Sequence, residues 1–164
     1  MERLFYSLFN TSVTVLAIYY IIFVFFGFVL SAIGRAGLFH KAHIPALASF
    51  IPFVANYDYY NILYGNGWLF LIEDYLTFSI IIMPEGSIIR FVNAGLLLAL
   101  DVWNMIKLQK CYGRFSVLFT IGLLIFNPIF MLILGFSSNS YYYGAVQDGT
   151  SWKEIKDYVK TKKA

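Results

Sequence analysis

The chain has 164 residues, of which 60% are hydrophobic and only 13% are charged. An ordinary soluble domain carries about 25% charged residues, so the composition predicts an integral membrane protein. The formal net charge is only +3, and the lysines cluster after residue 150. Because they form no basic stripe, nucleic acid is not an expected partner.

Apolar segments predict an all-α fold, a multi-pass membrane bundle with about four transmembrane helices. The clearest segment runs from Val13 to Ile33 without a charge, and about 20 apolar residues are enough to cross a bilayer. Asn127-Pro128 should kink the last helix. We expect the spans at about 13–34, 68–83, 88–106 and 115–136.

The stretch 44–64 is apolar but carries Pro45, Pro52, Asn56, Asp58 and Asn61. A full crossing would bury these polar groups in lipid, which is costly. We therefore predict a re-entrant or interfacial helix here, within a membrane domain of residues 1–136.

Residues 137–164 form a polar tail, and Ser151 and Glu154 fit a capping box that opens an amphipathic helix over about 151–162. Trp152, Ile155 and Val159 recur at helical spacing with lysines between them. These three side chains are candidate contacts for a membrane surface or a partner protein.

Charge distribution gives conflicting indications of topology. With the N-terminus outside, Arg35, Lys41 and the basic residues 107–114 lie in the cytoplasm, as the positive-inside rule requires. The same arrangement places the five lysines of the tail outside. The orientation of the tail therefore stays open, as does a crossing by residues 44–64.

The third predicted span has a polar face. Its polar residues lie within about 120° of arc on a helical wheel, and they are Arg90, Asn93, Asp101, Asn104 and Lys107. A carboxylate facing lipid costs several kcal/mol, so this face should meet water, another helix or a partner.

Two interpretations of Asp101 remain open. In one, Asp101 lines a path for a cation, a proton or a small polar solute together with Glu73 or Asp74. In the other, Asp101 pairs within the bundle or docks a subunit. Glu73 and Asp74 are adjacent, so they point about 100° apart and form no acid–base pair by themselves.

The sequence contains no recognised catalytic or cofactor-binding motif. His40 and His43 have a spacing that suits two metal ligands, but no Cys or carboxylate lies in the same local cluster. Cys111 stands alone, so an internal disulfide is excluded. We predict no cofactor, no metal site and no enzymatic activity.

Several motifs resemble the signature of a family of small bacterial membrane proteins. In the first half they are Lys41-Ala42-x-x-Pro45-x-x-Ala48-x-x-Ile51-Pro52-Phe53, Asn56-Tyr57 and Gly65-x-Gly67-Trp68. In the second half they are Val92-Asn93, Asp101, Lys110-Cys111-Tyr112-Gly113 and Phe126-x-Pro128-Ile129-Phe130-x-x-Ile133-Leu134-Gly135-Phe136. The resemblance covers roughly residues 35 to 143.

Similar modules occur at the N-terminus of some bacterial signal peptidases. The chain departs from the signature at His43 and Leu47, where Gly and Trp are expected, and Asn56 is displaced by one residue. The resemblance implies a multi-pass protein of a bacterial cell membrane. It implies no protease activity, because the matching residues lie outside the peptidase catalytic domain.

Three classes of function fit the sequence. The first is a small subunit or scaffold of a larger bacterial membrane complex, such as a transport or secretion system, with lipid and membrane protein subunits as partners. The second is a homo-oligomeric transporter or channel for a cation, a proton or a small polar solute. The third is a membrane-embedded enzyme that modifies lipid.

Overall fold

The structure is a computed structural model that describes residues 2–114, 116–146 and 150–163, with the side chains of residues 2–13, 23, 159, 162 and 163 left out. Over these residues the chain forms seven α-helices, two short 3-10 helices and no strand, which confirms the all-α class. The α-helices are α1 (Glu2–Lys41), α2 (Pro52–Tyr64), α3 (Phe70–Ile82), α4 (Ile88–Cys111), α5 (Val117–Ile125), α6 (Asn127–Phe136) and α7 (Trp152–Lys163). The 3-10 helices are Ala46–Phe50 and Gly67–Leu69.

Two helices in the described part of the chain are long and apolar enough to cross a membrane. They are α1, over Thr14–Lys41, and α4. In the most apolar stretch of each helix only 6% of the residues are buried. By contrast α3 has 13 residues and α6 has 10, fewer than the roughly 20 that a bilayer requires. Two of the four predicted spans thus form helices of spanning length.

The first helix is longer at its C-terminal end than the predicted span 13–34. It continues through Gly34 and Gly37 to Lys41, beyond the predicted end of the span at residue 34. A Cβ atom on Gly34 would lie 2.8 Å from the backbone of Leu132, and one on Gly135 would lie 2.5 Å from the Gly34 carbonyl oxygen. The glycines therefore serve a close crossing of α1 and α6.

The predicted span 115–136 is divided by a sharp bend at Phe126, between α5 and α6. The rings of Phe119 and Phe130 lie 5.0 Å apart, and the Phe130 ring packs directly on Gly122. Phe130 follows Gly122 by eight residues and Phe119 by eleven, and a straight helix would separate these pairs by about 12 and 16 Å along its axis. The two contacts therefore require the bend. Since Pro128 cannot donate a backbone hydrogen bond, the sequence favours a bend at this point.

The hydrophobic core lies at one end of the molecule. It is formed by the C-terminal ends of α1, α4 and α6 together with α2 and α5, and its fully buried members include Leu38, Phe39, Leu63, Leu108 and Leu134. Burying each such side chain contributes roughly 1.5–3 kcal/mol. Towards the other end the helices expose their apolar side chains, as at Leu16, Phe25, Phe78 and Phe91.

The segment that follows α6 packs on this same core. The Tyr143 backbone N–H donates to the Cys111 carbonyl oxygen at 2.7 Å, and Val146 is buried. The polar tail predicted for 137–164 is thus attached to the ends of α2 and α4 over residues 140–146.

Candidate functional site

A cavity of about 330 Å³ lies among α1, α2, α3, α4, α5 and α6. Its charged lining residues are Arg35, Glu73 and Asp101. Its neutral polar lining residues are Asn56, Tyr59, Tyr60, Asn104 and Asn127. The remaining wall is apolar and includes Met105, Leu123 and Met131. Polar side chains from several helices therefore meet at one place in a molecule whose surface is largely apolar.

A chain of hydrogen bonds forms one wall of the cavity. The Tyr60 hydroxyl donates to the Glu73 carboxylate, and the Asn104 amide nitrogen donates to that hydroxyl at 2.8 Å. The Asn104 amide oxygen in turn accepts from the Tyr64 hydroxyl at 2.6 Å. These bonds join α2, α3 and α4 and fix the position of the Glu73 carboxylate.

The local sequence of α2 explains how its polar side chains reach the cavity. Asn56, Tyr60 and Tyr64 recur every four residues, so they lie on one helical face, and the rings of Tyr60 and Tyr64 are stacked at 5.7 Å. The Arg35 guanidinium of α1 donates to the Asn56 side-chain oxygen at 3.3 Å. This bond holds the cation of α1 at the edge of the polar face of α2.

The two phenols of the cavity differ in their hydrogen bonds. The Tyr60 hydroxyl both donates and accepts within the hydrogen-bond chain. The Tyr59 hydroxyl is buried and has no hydrogen-bond partner in the described part of the protein.

The structure brings some of the predicted polar residues together and separates others. Asp101 and Asn104 of α4 line the cavity with Glu73 of α3. Asn93 instead donates to the Ser79 hydroxyl at 2.8 Å and joins α4 to α3. Lys107 is buried with its amine 4.1 Å from the centre of the Tyr64 ring.

Arg90 and Asp74 lie away from the cavity. Arg90 is half-buried near the start of α4, beside Glu85 in a shallow depression of the surface. Asp74 is exposed on α3, among the exposed apolar side chains of Leu71, Tyr75 and Phe78. The two adjacent carboxylates of α3 thus have different surroundings.

The apolar face of α7 contacts the chain itself. Ile155 is fully buried, and the Lys110 amine lies 5.6 Å from the centre of the Trp152 ring. Tyr158 packs edge-on against Tyr143 at 4.9 Å. The side chain of Val159 lies outside the described residues. Ile155, a candidate partner contact, is therefore already covered by its own chain.

The sequence alone does not indicate that five of the cavity residues share a site. They are Arg35, Asn56, Tyr59, Tyr60 and Asn127. The sequence predicts a cytoplasmic connection at Arg35 because this residue follows the most apolar segment, and the continuation of α1 to Lys41 places it within a helix instead. The spacing of Asn56 and Tyr60 is a signal present in the sequence. It indicates a shared helical face, but not which helix that face meets.

The cavity presents charged and neutral hydrogen-bonding side chains to a bound molecule. It offers one guanidinium, two carboxylates and several neutral donors, whereas His40 and His43 are both exposed at the far end of α1 and in the following turn. Among the described residues, no three His, Cys, Asp or Glu side chains are close enough together to hold a metal ion. The chain matches no protein-family model, no curated protein and no solved structure.

Proposed function

We propose that this protein is a multi-pass membrane protein that binds a small polar solute in the internal cavity and passes it across the bilayer, as a transporter or channel does. The observation that carries the proposal is the placement of Arg35, Glu73 and Asp101 around one cavity. The two carboxylates come from different helices, so their meeting depends on the fold.

The exposure of α1 and α4 supports a membrane location. The core helix of a soluble protein is mostly buried, whereas only 6% of the most apolar stretch of each of these helices is buried. A secretory signal also produces an apolar helix, but it lies near an N-terminus, and α4 begins at Ile88. Lipid is the solvent that stabilises such helices.

We assign α1 and α4 to complete crossings and the shorter helices to the remaining passages. The segment formed by Gly67–Leu69 and α3 leads back to the start of α4 through the turn at 83–87. Helix α5 then enters the bilayer and α6 leaves it, with the bend at Phe126 between them. Non-helical backbone at membrane depth is tolerated where it is buried in protein or lines a cavity. Met131 and Leu123, on the two sides of that bend, both line the cavity.

Electrostatics favours a solute-binding role for the carboxylates. Arg35, Glu73 and Asp101 line the same cavity, with polar side chains and the apolar side chains of Met105, Leu123 and Met131 beside them. Ionisable groups at membrane depth are costly, and they mark ion and substrate pathways by default. The Tyr60 and Asn104 hydrogen bonds hold Glu73 in place, which is the preorganisation that a binding site requires.

Swelling of proteoliposomes tests the proposal with several solutes of different charge and size. Vesicles that contain the purified protein would be exposed to gradients of KCl, glycerol, glycine or ethylammonium chloride, and light scattering would follow solute entry. We expect at least one solute to enter faster than in protein-free vesicles. The Asp101→Asn variant should slow that entry by about ten-fold or more, the equivalent of 1.4 kcal/mol.

The matched control is Asp74→Asn, which removes a carboxylate next to Glu73 but on the exposed side of α3. We expect entry in this variant to equal that in the unchanged protein. Entry no faster than in protein-free vesicles for all four solutes, or equal slowing by both variants, contradicts the proposal.

A second candidate function, a subunit of a larger membrane complex, is favoured by the surroundings of Asp74. This exposed carboxylate lies among apolar side chains that are 48% to 70% exposed, Leu71, Tyr75 and Phe78. In lipid such a carboxylate requires a polar partner. Isolation in mild detergent tests this function. A second membrane protein that co-purifies with the unchanged chain, and is lost with Asp74→Leu, would support it.

A further inference from the structure

The chemical class of the solute follows from how the three charged side chains of the cavity are engaged. Arg35 donates to Asn56, and Glu73 accepts from Tyr60. Asp101 lines the same cavity, and its carboxylate accepts no hydrogen bond from any described residue. With both carboxylates ionised, one guanidinium and two carboxylates leave an excess of one negative charge, and Asp101 is the carboxylate that no described residue binds.

Tyr59 provides a second unoccupied polar group. Its hydroxyl is buried, has no hydrogen-bond partner among the described residues and belongs to a side chain that lines the cavity. Buried polar groups are nearly always hydrogen-bonded in folded proteins. A bound molecule that carries a hydrogen-bonding group would satisfy this hydroxyl and would neutralise Asp101.

Cavity size and lining distinguish among cations. A volume of about 330 Å³ is much larger than a bare monovalent ion, and it has room for a small organic molecule. Aromatic faces attract ammonium groups, and the wall contains the rings of Tyr59 and Tyr60 beside apolar Met105, Leu123 and Met131. These surfaces suit an alkyl chain that carries a positive charge.

We propose that the cavity binds a small organic ammonium ion, with the cation at Asp101, a hydrogen bond to Tyr59 and the alkyl portion against the methionine and leucine side chains. This inference rests on the proposed function, because it names the class of solute that the same cavity accepts. An anion is disfavoured by two carboxylates. A zwitterion gains contact with Arg35 but leaves the excess negative charge in place.

Calorimetric titration of the protein in lipid nanodiscs tests the solute class. The probes are ethylammonium, glycine, acetate and potassium ion, which differ in charge and size. We expect ethylammonium to bind at least about ten-fold more tightly than the other three. Asp101→Asn should weaken ethylammonium binding by about ten-fold or more, Tyr59→Phe should weaken it to a smaller extent, and Asp74→Asn should leave it unchanged.

The outcomes separate this inference from the proposed function. If glycine or potassium ion binds as tightly as ethylammonium and depends on Asp101, the ammonium class is wrong while a polar solute site remains. If none of the four probes binds to protein whose helical circular dichroism is intact, both proposals fail. Should Asp101→Asn not fold, Tyr59→Phe decides, and unchanged ethylammonium affinity in that variant would overturn the placement of the cation.

Discussion

The side-chain amide of Asn104 on α4 donates a hydrogen bond of 2.8 Å to the hydroxyl of Tyr60 on α2. That hydroxyl donates in turn to Glu73 on α3, so one oxygen atom joins three helices. Asn104 and Tyr60 are both 2% exposed. Because both side chains are buried this deeply, the Asn104 amide nitrogen depends on the Tyr60 hydroxyl for its hydrogen bond.

Tyr60→Phe should destabilise the protein by about 1–3 kcal/mol, because it leaves Glu73 and the Asn104 amide without their common partner while the ring is kept. The free energy of unfolding can be measured by circular dichroism during titration of mixed micelles with sodium dodecyl sulfate. Tyr75→Phe is the control, since Tyr75 is 70% exposed. Equal stability of the two variants would contradict a structural role for this network.

The crossing of α1 and α6 makes a second prediction. Gly135→Ala should destabilise the bundle by about 1–3 kcal/mol, the usual cost of overpacking, because its Cβ would lie 2.5 Å from the Gly34 carbonyl oxygen. Gly95→Ala is the matched control on α4, where no described atom beyond the adjacent residues and the nearby backbone of the same helix lies within 4 Å of the added carbon. Alanine there should be neutral or stabilising by up to about 1 kcal/mol. The same detergent titration compares the two, and a Gly135→Ala variant as stable as Gly95→Ala would argue against close contact.

The sequence predicts helices well here because local signals define them. The apolar segment after Val13 and the proline of Asn127-Pro128 indicate a helix and a bend without reference to the rest of the chain. The wheel of α4 also predicts a polar face for Asp101 and Asn104, and the structure places both at the cavity.

The remaining features depend on which helices meet. Gly34 and Gly37 are ambiguous in sequence, since glycine favours both flexible connections and close helix crossings. Only the presence of Gly135 opposite them distinguishes the two. Likewise nothing local separates Glu73, which lines the cavity, from Asp74, which is exposed. That difference follows from the rotation of α3 against α2 and α4.

The docking of α7 makes a third prediction. Ile155→Ala should weaken the attachment of this helix by about 2–4 kcal/mol, because it leaves a cavity under a fully buried side chain. Trypsin should then cleave faster at Lys153 and Lys156, which are exposed but held in the helix. Asp157→Ala, at an exposed position of the same helix, is the control. Cleavage at the same rate in both variants would mean that Ile155 does not hold α7 in place.

Lys41 is the subject of the last prediction, because its amine binds carbonyl groups at the C-terminal end of α6. It donates to the Leu134 carbonyl oxygen at 3.0 Å, to the Ser137 carbonyl oxygen at 2.7 Å and to the Ser140 hydroxyl at 2.6 Å. Carbonyl groups at the end of a helix have no partner within that helix, and a cation there also interacts favourably with the helix dipole.

Lys41→Met keeps much of the aliphatic side chain but removes all three hydrogen bonds, so it should destabilise the protein by about 1–3 kcal/mol. Lys156→Met is the matched control at an exposed position of α7, and its free energy of unfolding should stay within about 0.5 kcal/mol of the unchanged protein. Hydrogen exchange gives an independent measurement, since the amides of Ser137 and Ser140, which donate to carbonyl groups of this turn, should exchange faster in Lys41→Met only. Unchanged exchange there would show that α6 ends in the same way without the lysine, and the cap would then contribute nothing to its stability.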